Sequence, residues 1–266
     1  MYNSFMKENN LNWAVVTGAS SGIGLEFARI FAHNQVNLVL VARNINALNS
    51  LSKELTSQFK IKVLVYELDL SEISNAEGLV EDLDKRKITP NYLINNAGFG
   101  DFGTFSETSW DKELKMINLN IITLTYLTKI YLKKMLGGKR SYIVNVASGA
   151  AFQPGPLMAV YFATKAYVLH LSEAVSEEID GTNVTVTTLC PGPTQSNFWS
   201  VAGKEKTFGI LGKMPSSKQV AEFGYQAMLD SKRVAVYGWT NRLGTFLVRL
   251  LPRSWVTKAI LYAQST

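Results

Sequence analysis

The chain has 266 residues, is 47% hydrophobic and carries a formal net charge of +6. Charged residues make up only 18%, which excludes a disordered, self-repelling chain; the single cysteine, Cys190, excludes an internal disulfide framework, and two histidines, His33 and His170, leave no Cys/His metal cluster. The charge is unevenly placed: from Ser231 onward come Lys232, Arg233, Arg242, Arg249, Arg253 and Lys258 with no Asp or Glu, so the first 230 residues are balanced.

The first residues, MYNSFMKENNLNW, contain no apolar core of signal-peptide length. WAVVTG (13–18) then reads as a strand entering a glycine turn, followed by a helix over 25–34. NLVLVAR (37–43) is a strand and 45–59 a helix; KVLVYELD (62–69) is a strand and 72–86 a helix. YLINNAG (92–98) is a strand ending in a turn, before a long helix over 109–136. SYIVNVAS (141–148) is a strand, 157–180 a helix, VTVTTLCPG (184–192) a strand with a proline stop, and VAVYG (234–238) a last strand before a helix-rich tail. The uncharged run 141–164 contains Pro154, Gly155 and Pro156, which break a spanning helix, so a buried core segment is expected there.

Strands alternating with helices pair in parallel through right-handed crossovers, and strands apolar at consecutive positions fit a sheet buried on both faces. No internal repeat, low-complexity segment or flexible linker interrupts the pattern. The expected fold is α/β: a single Rossmann-type, doubly wound parallel sheet of about seven strands with helices on both faces, spanning 1–266.

The first strand runs into TGASSGIG (17–24). Gly18 permits a tight turn off the strand, and Gly22 and Gly24 let the backbone and the new helix approach a diphosphate. Ser20 and Ser21 add hydroxyl donors, and Ile23 belongs to the same turn. The second strand ends on Ala42 and Arg43, where NAD-binding folds of this type usually carry an acid. A guanidinium there binds a 2′-phosphate through paired hydrogen bonds, so the expected cofactor is NADP(H). Asp69, beside Leu70, has two readings: a contact to the adenine amino group, or a cap for the segment starting at Ser71.

Tyr161 and Lys165, at i and i+4, share one helix face. A free tyrosine ionises near ~10, and a neighbouring ammonium lowers that value toward a usable general acid or base. TGASSGIG, NNAG (95–98), Ser148, YFATK (161–165) and PGPTQS (191–196) occur in the order and spacing of one family. From about Trp13 to about Asp230 the chain resembles the classical short-chain dehydrogenases/reductases, and Arg43 aligns it with the NADP-preferring members.

The resemblance implies hydride transfer between NADP(H) and a carbonyl/alcohol pair. It assigns Tyr161 as the proton donor, Lys165 as the cation that tunes it and bonds the nicotinamide ribose, and Ser148 as the group that holds the reacting carbonyl. Asn118, in MINLNI, matches the fourth catalytic residue, which supports a proton-relaying water chain; Asn120 lies two residues on. Asn96 and Gly98 take the family's adenosine contacts, with Ala97 allowing close approach. Pro191 and Gly192 bend the chain past the nicotinamide. Ser196, with Thr194 as the alternative, contacts the carboxamide or the diphosphate. Where the family often writes glycine three residues after the serine, this chain has Ala151. Cys190 reads as a small buried residue at a strand end.

The resemblance also implies a mobile substrate lid over about 196–215, containing Phe198, Trp199 and Phe208 among glycines. Its aromatics suit an apolar substrate such as a ketone, aldehyde, steroid-like molecule or acyl chain; Lys204, Lys206 and Lys213 are solvated or meet an acidic group. Homodimers or homotetramers are expected through the helices at 109–136 and 157–180. The basic, apolar tail at about 239–266 has three readings: packing on the cleft or a subunit, lying on an anionic membrane surface, or binding an acidic partner. No metal and no nucleic acid are expected, and the compartment is expected to be reducing and cytoplasmic. The alternative to an enzyme is a non-catalytic NADP(H)-binding sensor or interaction protein on the same fold.

Overall fold

Among the described residues, seven short aliphatic and β-branched runs form the strands: β1 (Trp13–Thr17), β2 (Asn37–Ala42), β3 (Val63–Glu67), β4 (Tyr92–Asn95), β5 (Ser141–Val146), β6 (Val184–Cys190) and β7 (Val234–Val236). The computed structural model describes residues 12–196, 198, 202–203 and 214–265. Every strand pair is parallel, in the order β3-β2-β1-β4-β5-β6-β7, which is the Rossmann-type α/β architecture expected. Leu38 to Val41 of β2 are all fully buried, so the strand needs no polar face and reads as an unbroken apolar run. Each such side chain contributes about 1.5–3 kcal/mol by leaving water.

Helices α1 (Gly22–His33) and α2 (Ile45–Phe59) pack on one sheet face, joined by α7 (Ser217–Leu229); Phe27, Phe31, Leu48, Leu55 and Val220 form that core layer. On the other face lie α3 (Ile73–Lys85) and α5 (Leu124–Met135), through Leu79, Leu83, Leu127 and Tyr131, and α6 (Ala159–Glu178), through Val168 and Leu169. The tail forms α8 (Trp239–Leu247) and α9 (Arg253–Ser265).

Two elements differ from the sequence expectation. The helix over 109–136 is not uniform: α4 (Trp110–Ile117) passes through a π-helical segment, Asn118–Thr123, before α5. A π turn widens the helix and changes which side chains face inward, and such turns are frequent at functional sites. Helix α7 was not foreseen, although Ser216 and Gln219 form a capping box: the Ser216 hydroxyl accepts from Gln219 N at 3.3 Å, and Ser216 N donates to Gln219 Oε1 at 2.9 Å.

Between β1 and β4 the strand order reverses, and in sheets of this kind ligands bind at the carboxyl ends of strands at that point. Thr17 fastens the reversal. Its hydroxyl donates to the Ile94 carbonyl at 3.1 Å and accepts from Asn96 N and Ala97 N, both at 3.0 Å. Among the described residues, no helix is long and apolar enough to cross a membrane.

Candidate functional site

One cavity of about 1640 Å³ opens along the carboxyl ends of the strands. Pockets for single small molecules span roughly 300–1,000 Å³, so this one has room for a dinucleotide and a second molecule.

The glycine turn forms its floor. Gly18, Ser20, Ser21, Gly22 and Ile23 line it, and the N-terminus of α1 faces in with its free N–H groups and partial positive charge. Ser21 occupies the N-cap position of α1, yet its side chain makes no capping hydrogen bond. Gly18 and Gly22 have φ of +66° and +59°, where a side chain is strained. Gly24 lies outside the cavity and acts in the scaffold. A Cβ there would lie 2.5 Å from both the Gly18 carbonyl oxygen and Asn96 Nδ2, so glycine lets α1 close onto the turn. Ser196 lines the cavity beside Gly22, with 3.5 Å between its Cβ and a Cβ built on the glycine. Thr194 lines it too, but its hydroxyl is tied to the Gly192 carbonyl at 2.9 Å.

Arg43 sits exposed on the rim, next to the N-terminus of α2, which Asn44 caps by accepting from Ala47 N at 3.0 Å. Asp69 and Leu70 line the same end. Asp69 Oδ1 accepts from Ser71 N at 3.0 Å and Ser71 Oγ at 2.8 Å, so the capping role is present while the residue still faces the cavity. Burial works against its charge, but the Ser71 hydrogen bonds and the Arg43 field outweigh this and hold the carboxyl below its ordinary value. Asn96 lines the cavity with Ala97 and Gly98, yet its Nδ2 donates to the carbonyls of Thr17 at 2.9 Å and Gly18 at 3.3 Å. Its side chain therefore braces the glycine turn.

At the other end, β5 delivers Ser148 and α6 delivers Tyr161 and Lys165. The Ser148 hydroxyl accepts from Ala150 N at 3.1 Å, starting the short turn that contains Ala151, which is buried with no positive φ. Ser148 lowers the pKa of the Tyr161 phenol, but burial acts more strongly and pushes it up to about 12. Lys165 Nζ donates to the Val146 carbonyl at 2.8 Å and lies 5.8 Å from the centre of the Tyr161 ring. Burial pushes the lysine down to about 8. In the protein alone desolvation therefore sets the direction of the shift on the phenol.

The asparagine at this site is Asn120, which corrects the expectation for Asn118. Asn120 is fully buried; its Nδ2 donates to the Phe99 carbonyl at 3.1 Å and to Thr164 Oγ1 at 3.0 Å. Its Oδ1 has no hydrogen-bond partner among the described residues. Gly98 faces both Asn120 Oδ1 and Lys165 Nζ: a Cβ built there would lie 2.9 Å and 3.4 Å from them. Asn118, the first residue of the π segment, is only partly buried and does not line the cavity.

Around Tyr161 the surfaces are apolar. Met158, Phe162 and Phe198 adjoin it, with Phe198 5.2 Å away ring to ring, and Phe99 and Phe102 join the cluster. Within the expected lid, Trp199, Phe208, Lys204, Lys206 and Lys213 lie outside the described residues. Pro191 and Gly192 line the wall, and Gly192 is pressed by Asn241: a Cβ there would meet Asn241 Nδ2 at 2.4 Å. Cys190 is buried and its thiol is raised to about 12 by burial, which leaves it inert.

The tail packs on the cavity, one of the readings expected of it, although none of its residues was singled out as a site residue. Asn241 and Thr245 on one side of α8, Val248 at its C-cap, and Ile260 and Gln264 of α9 line the cavity. The signal was available, because these residues recur at helical spacing opposite the apolar stripe.

The residues suit a nicotinamide dinucleotide. A helix N-terminus whose Ser21 makes no capping bond suits a diphosphate, and the buried Asn120 Oδ1 near Lys165, unpartnered among the described residues, offers an acceptor at the other end.

The sequence model of the family described as short chain dehydrogenase matches residues 12–207. A very-long-chain 3-oxoacyl-CoA reductase-like protein of Arabidopsis thaliana is 32% identical over 254 residues, covering 92% of this chain and 78% of that protein. An inactive hydroxysteroid dehydrogenase-like protein 1 of Homo sapiens is 28% identical over 260 residues, covering 95% and 76%. Among solved structures, a short-chain dehydrogenase from Sphingobium yanoikuyae in complex with NADPH superposes with a TM-score of 0.80 at 27% identity, covering 89% of this chain and 92% of that one.

Proposed function

The chain belongs to the short-chain dehydrogenase family, and from that premise we propose that it is an NADP(H)-dependent reductase of an apolar carbonyl compound, or the corresponding alcohol dehydrogenase. The observation that carries the reading is the convergence of Ser148, Tyr161, Lys165 and Asn120 at one end of a cavity whose other end is a helix N-terminus rimmed by Arg43.

The α1 N-terminus with Ser20, Ser21 and Ser196 holds the diphosphate, Arg43 the 2′-phosphate, Asp69 the adenine side, and Lys165 the nicotinamide ribose. Bound there, the cofactor supplies the hydride. Ser148 donates a hydrogen bond to the substrate oxygen and offsets the charge that develops on it. Tyr161 Oη gives that oxygen its proton. A group raised to about 12 is a weak acid at rest, which suits proton release only when negative charge has built up on the acceptor. Lys165 stabilises the resulting phenolate. Asn120 Oδ1 accepts a hydrogen bond from a water that also contacts Lys165 Nζ, replenishing the proton.

Apolar walls at Met158, Phe162 and Phe198 support an apolar substrate. The relatives described as hydroxysteroid dehydrogenase-like and very-long-chain 3-oxoacyl-CoA reductase-like support steroid-like ketones and acyl chains as the first classes to try. Exposed Leu114, Ile122 and Tyr167 on α4, the π segment and α6 support a homo-oligomer formed there.

NADPH oxidation, followed optically across steroid ketones, 3-oxoacyl thioesters, aromatic ketones and aldehydes, tests the function. Turnover with one apolar class supports it. NADPH binding with no turnover on any class would favour the sensor reading, which the human relative described as inactive brings into view.

A further inference from the structure

The tail presents two opposed faces. Asn241 and Thr245 of α8 and Val248 at its C-cap line the cavity, with Ile260 and Gln264 of α9. Trp239, Leu243, Phe246 and Leu247 recur at the spacing of the opposite face of α8, and all are exposed, Trp239 at 75% and Phe246 at 58%. The turn into α9 continues the apolar surface with exposed Leu250, and Trp255 follows in the first turn of α9. A continuous apolar surface of this kind on a folded chain marks an interaction site.

Its charge identifies the occupant. Arg249, Arg253 and Lys258 are exposed on the same segment and form no ion pair among the described residues. Lys232 and Arg233, by contrast, are paired with Asp230 and with Glu177 and Asp180. No acidic residue occurs after Asp230. A second copy of the chain on this face would set like charges against one another, because a two-fold interface brings the same patch to both sides. An anionic lipid surface complements both features: aromatic and leucine side chains enter the interfacial layer while arginine and lysine meet the headgroups.

We infer that α8, α9 and the turn between them dock on an anionic bilayer surface, so that the wall of the cavity is the part of the molecule that lies against lipid. The proteins to compare are the full chain, Phe246→Glu with Leu250→Glu, and Arg249→Gln with Arg253→Gln. None of the four substituted residues lines the cavity, and NADPH binding and melting temperature report whether the variants remain folded. Each protein is sedimented with phosphatidylcholine vesicles and with phosphatidylcholine–phosphatidylserine vesicles, at low and high salt. The full chain should pellet with the anionic vesicles at low salt and release as salt rises. Neutralising each arginine should lower partitioning about fivefold, and the glutamate pair should abolish it. Failure of the folded full chain to pellet with anionic vesicles at low salt overturns the inference. So does sedimentation velocity in which the glutamate pair splits a dimer, which assigns the face to a second copy.

Discussion

Asn120→Ala and Asn118→Ala distinguish two neighbouring residues of the same type. Asn120 is fully buried and bridges the Phe99 carbonyl and Thr164 Oγ1. Truncation leaves the Phe99 carbonyl without this donor, while Thr164 keeps its bond to the Tyr161 carbonyl at 2.7 Å. One orphaned buried acceptor costs about 1–3 kcal/mol, which corresponds to about 2–4 °C per kcal/mol for a chain near this size. Asn118 is partly exposed on a helix, so its alanine variant should stay within about 0.5 kcal/mol of the parent. Urea unfolding of the two variants measures the difference, and NADPH oxidation on the best carbonyl substrate measures turnover. Only Asn120→Ala should lose both stability and turnover. An Asn118→Ala variant that loses more turnover than Asn120→Ala would refute the assignment of Asn120 to the proton relay.

Arg43→Ala should weaken NADPH by about 10- to 100-fold, the worth of a charge-assisted phosphate contact, and leave NADH nearly unchanged; equal losses for both mean that Arg43 does not read the 2′-phosphate. Lys165 is lowered from 10.5 to about 8 in the folded chain, so the unfolded chain binds more protons across that window. Stability from this group therefore rises as pH goes from about 8 to 10.5, and Lys165→Met should flatten that rise in melting experiments. Carbonyl reduction should fall as pH passes upward through about 8, where the ammonium is lost; a flat rate to pH 10 contradicts a charged Lys165. Gly24→Ala places a methyl 2.5 Å from the immobile Gly18 carbonyl and should destabilise the chain by about 1–3 kcal/mol in urea unfolding; a neutral result means the turn is slack.

The sheet was legible because its strands are buried on both faces, so β2 reads as an unbroken apolar run from Leu38 to Val41. The phosphate turn, Ser148, Tyr161 and Lys165 were legible because the fold fixes their order along the chain. Asn118 and Asn120 were not separable by residue type; the π segment decides which one faces Lys165, and a helix-period reading does not foresee it. The upward shift of Tyr161 was hidden for another reason. Spacing reveals the neighbouring cation but not the depth of burial, and burial dominates here. Sequence composition marked the tail as basic and apolar, but its inner face became visible only where Asn241 presses on Gly192.

The central claim is that Tyr161 transfers the proton. Tyr161→Phe keeps the ring that packs against Phe162 and Phe198 and removes only the hydroxyl. With NADPH affinity measured by nicotinamide fluorescence and turnover by NADPH oxidation on the same preparation, affinity should stay within a few-fold of the parent. Turnover should fall by about 10²–10⁴-fold, the usual worth of a positioned acid. A Tyr161→Phe protein that reduces the carbonyl at the parental rate would contradict the account.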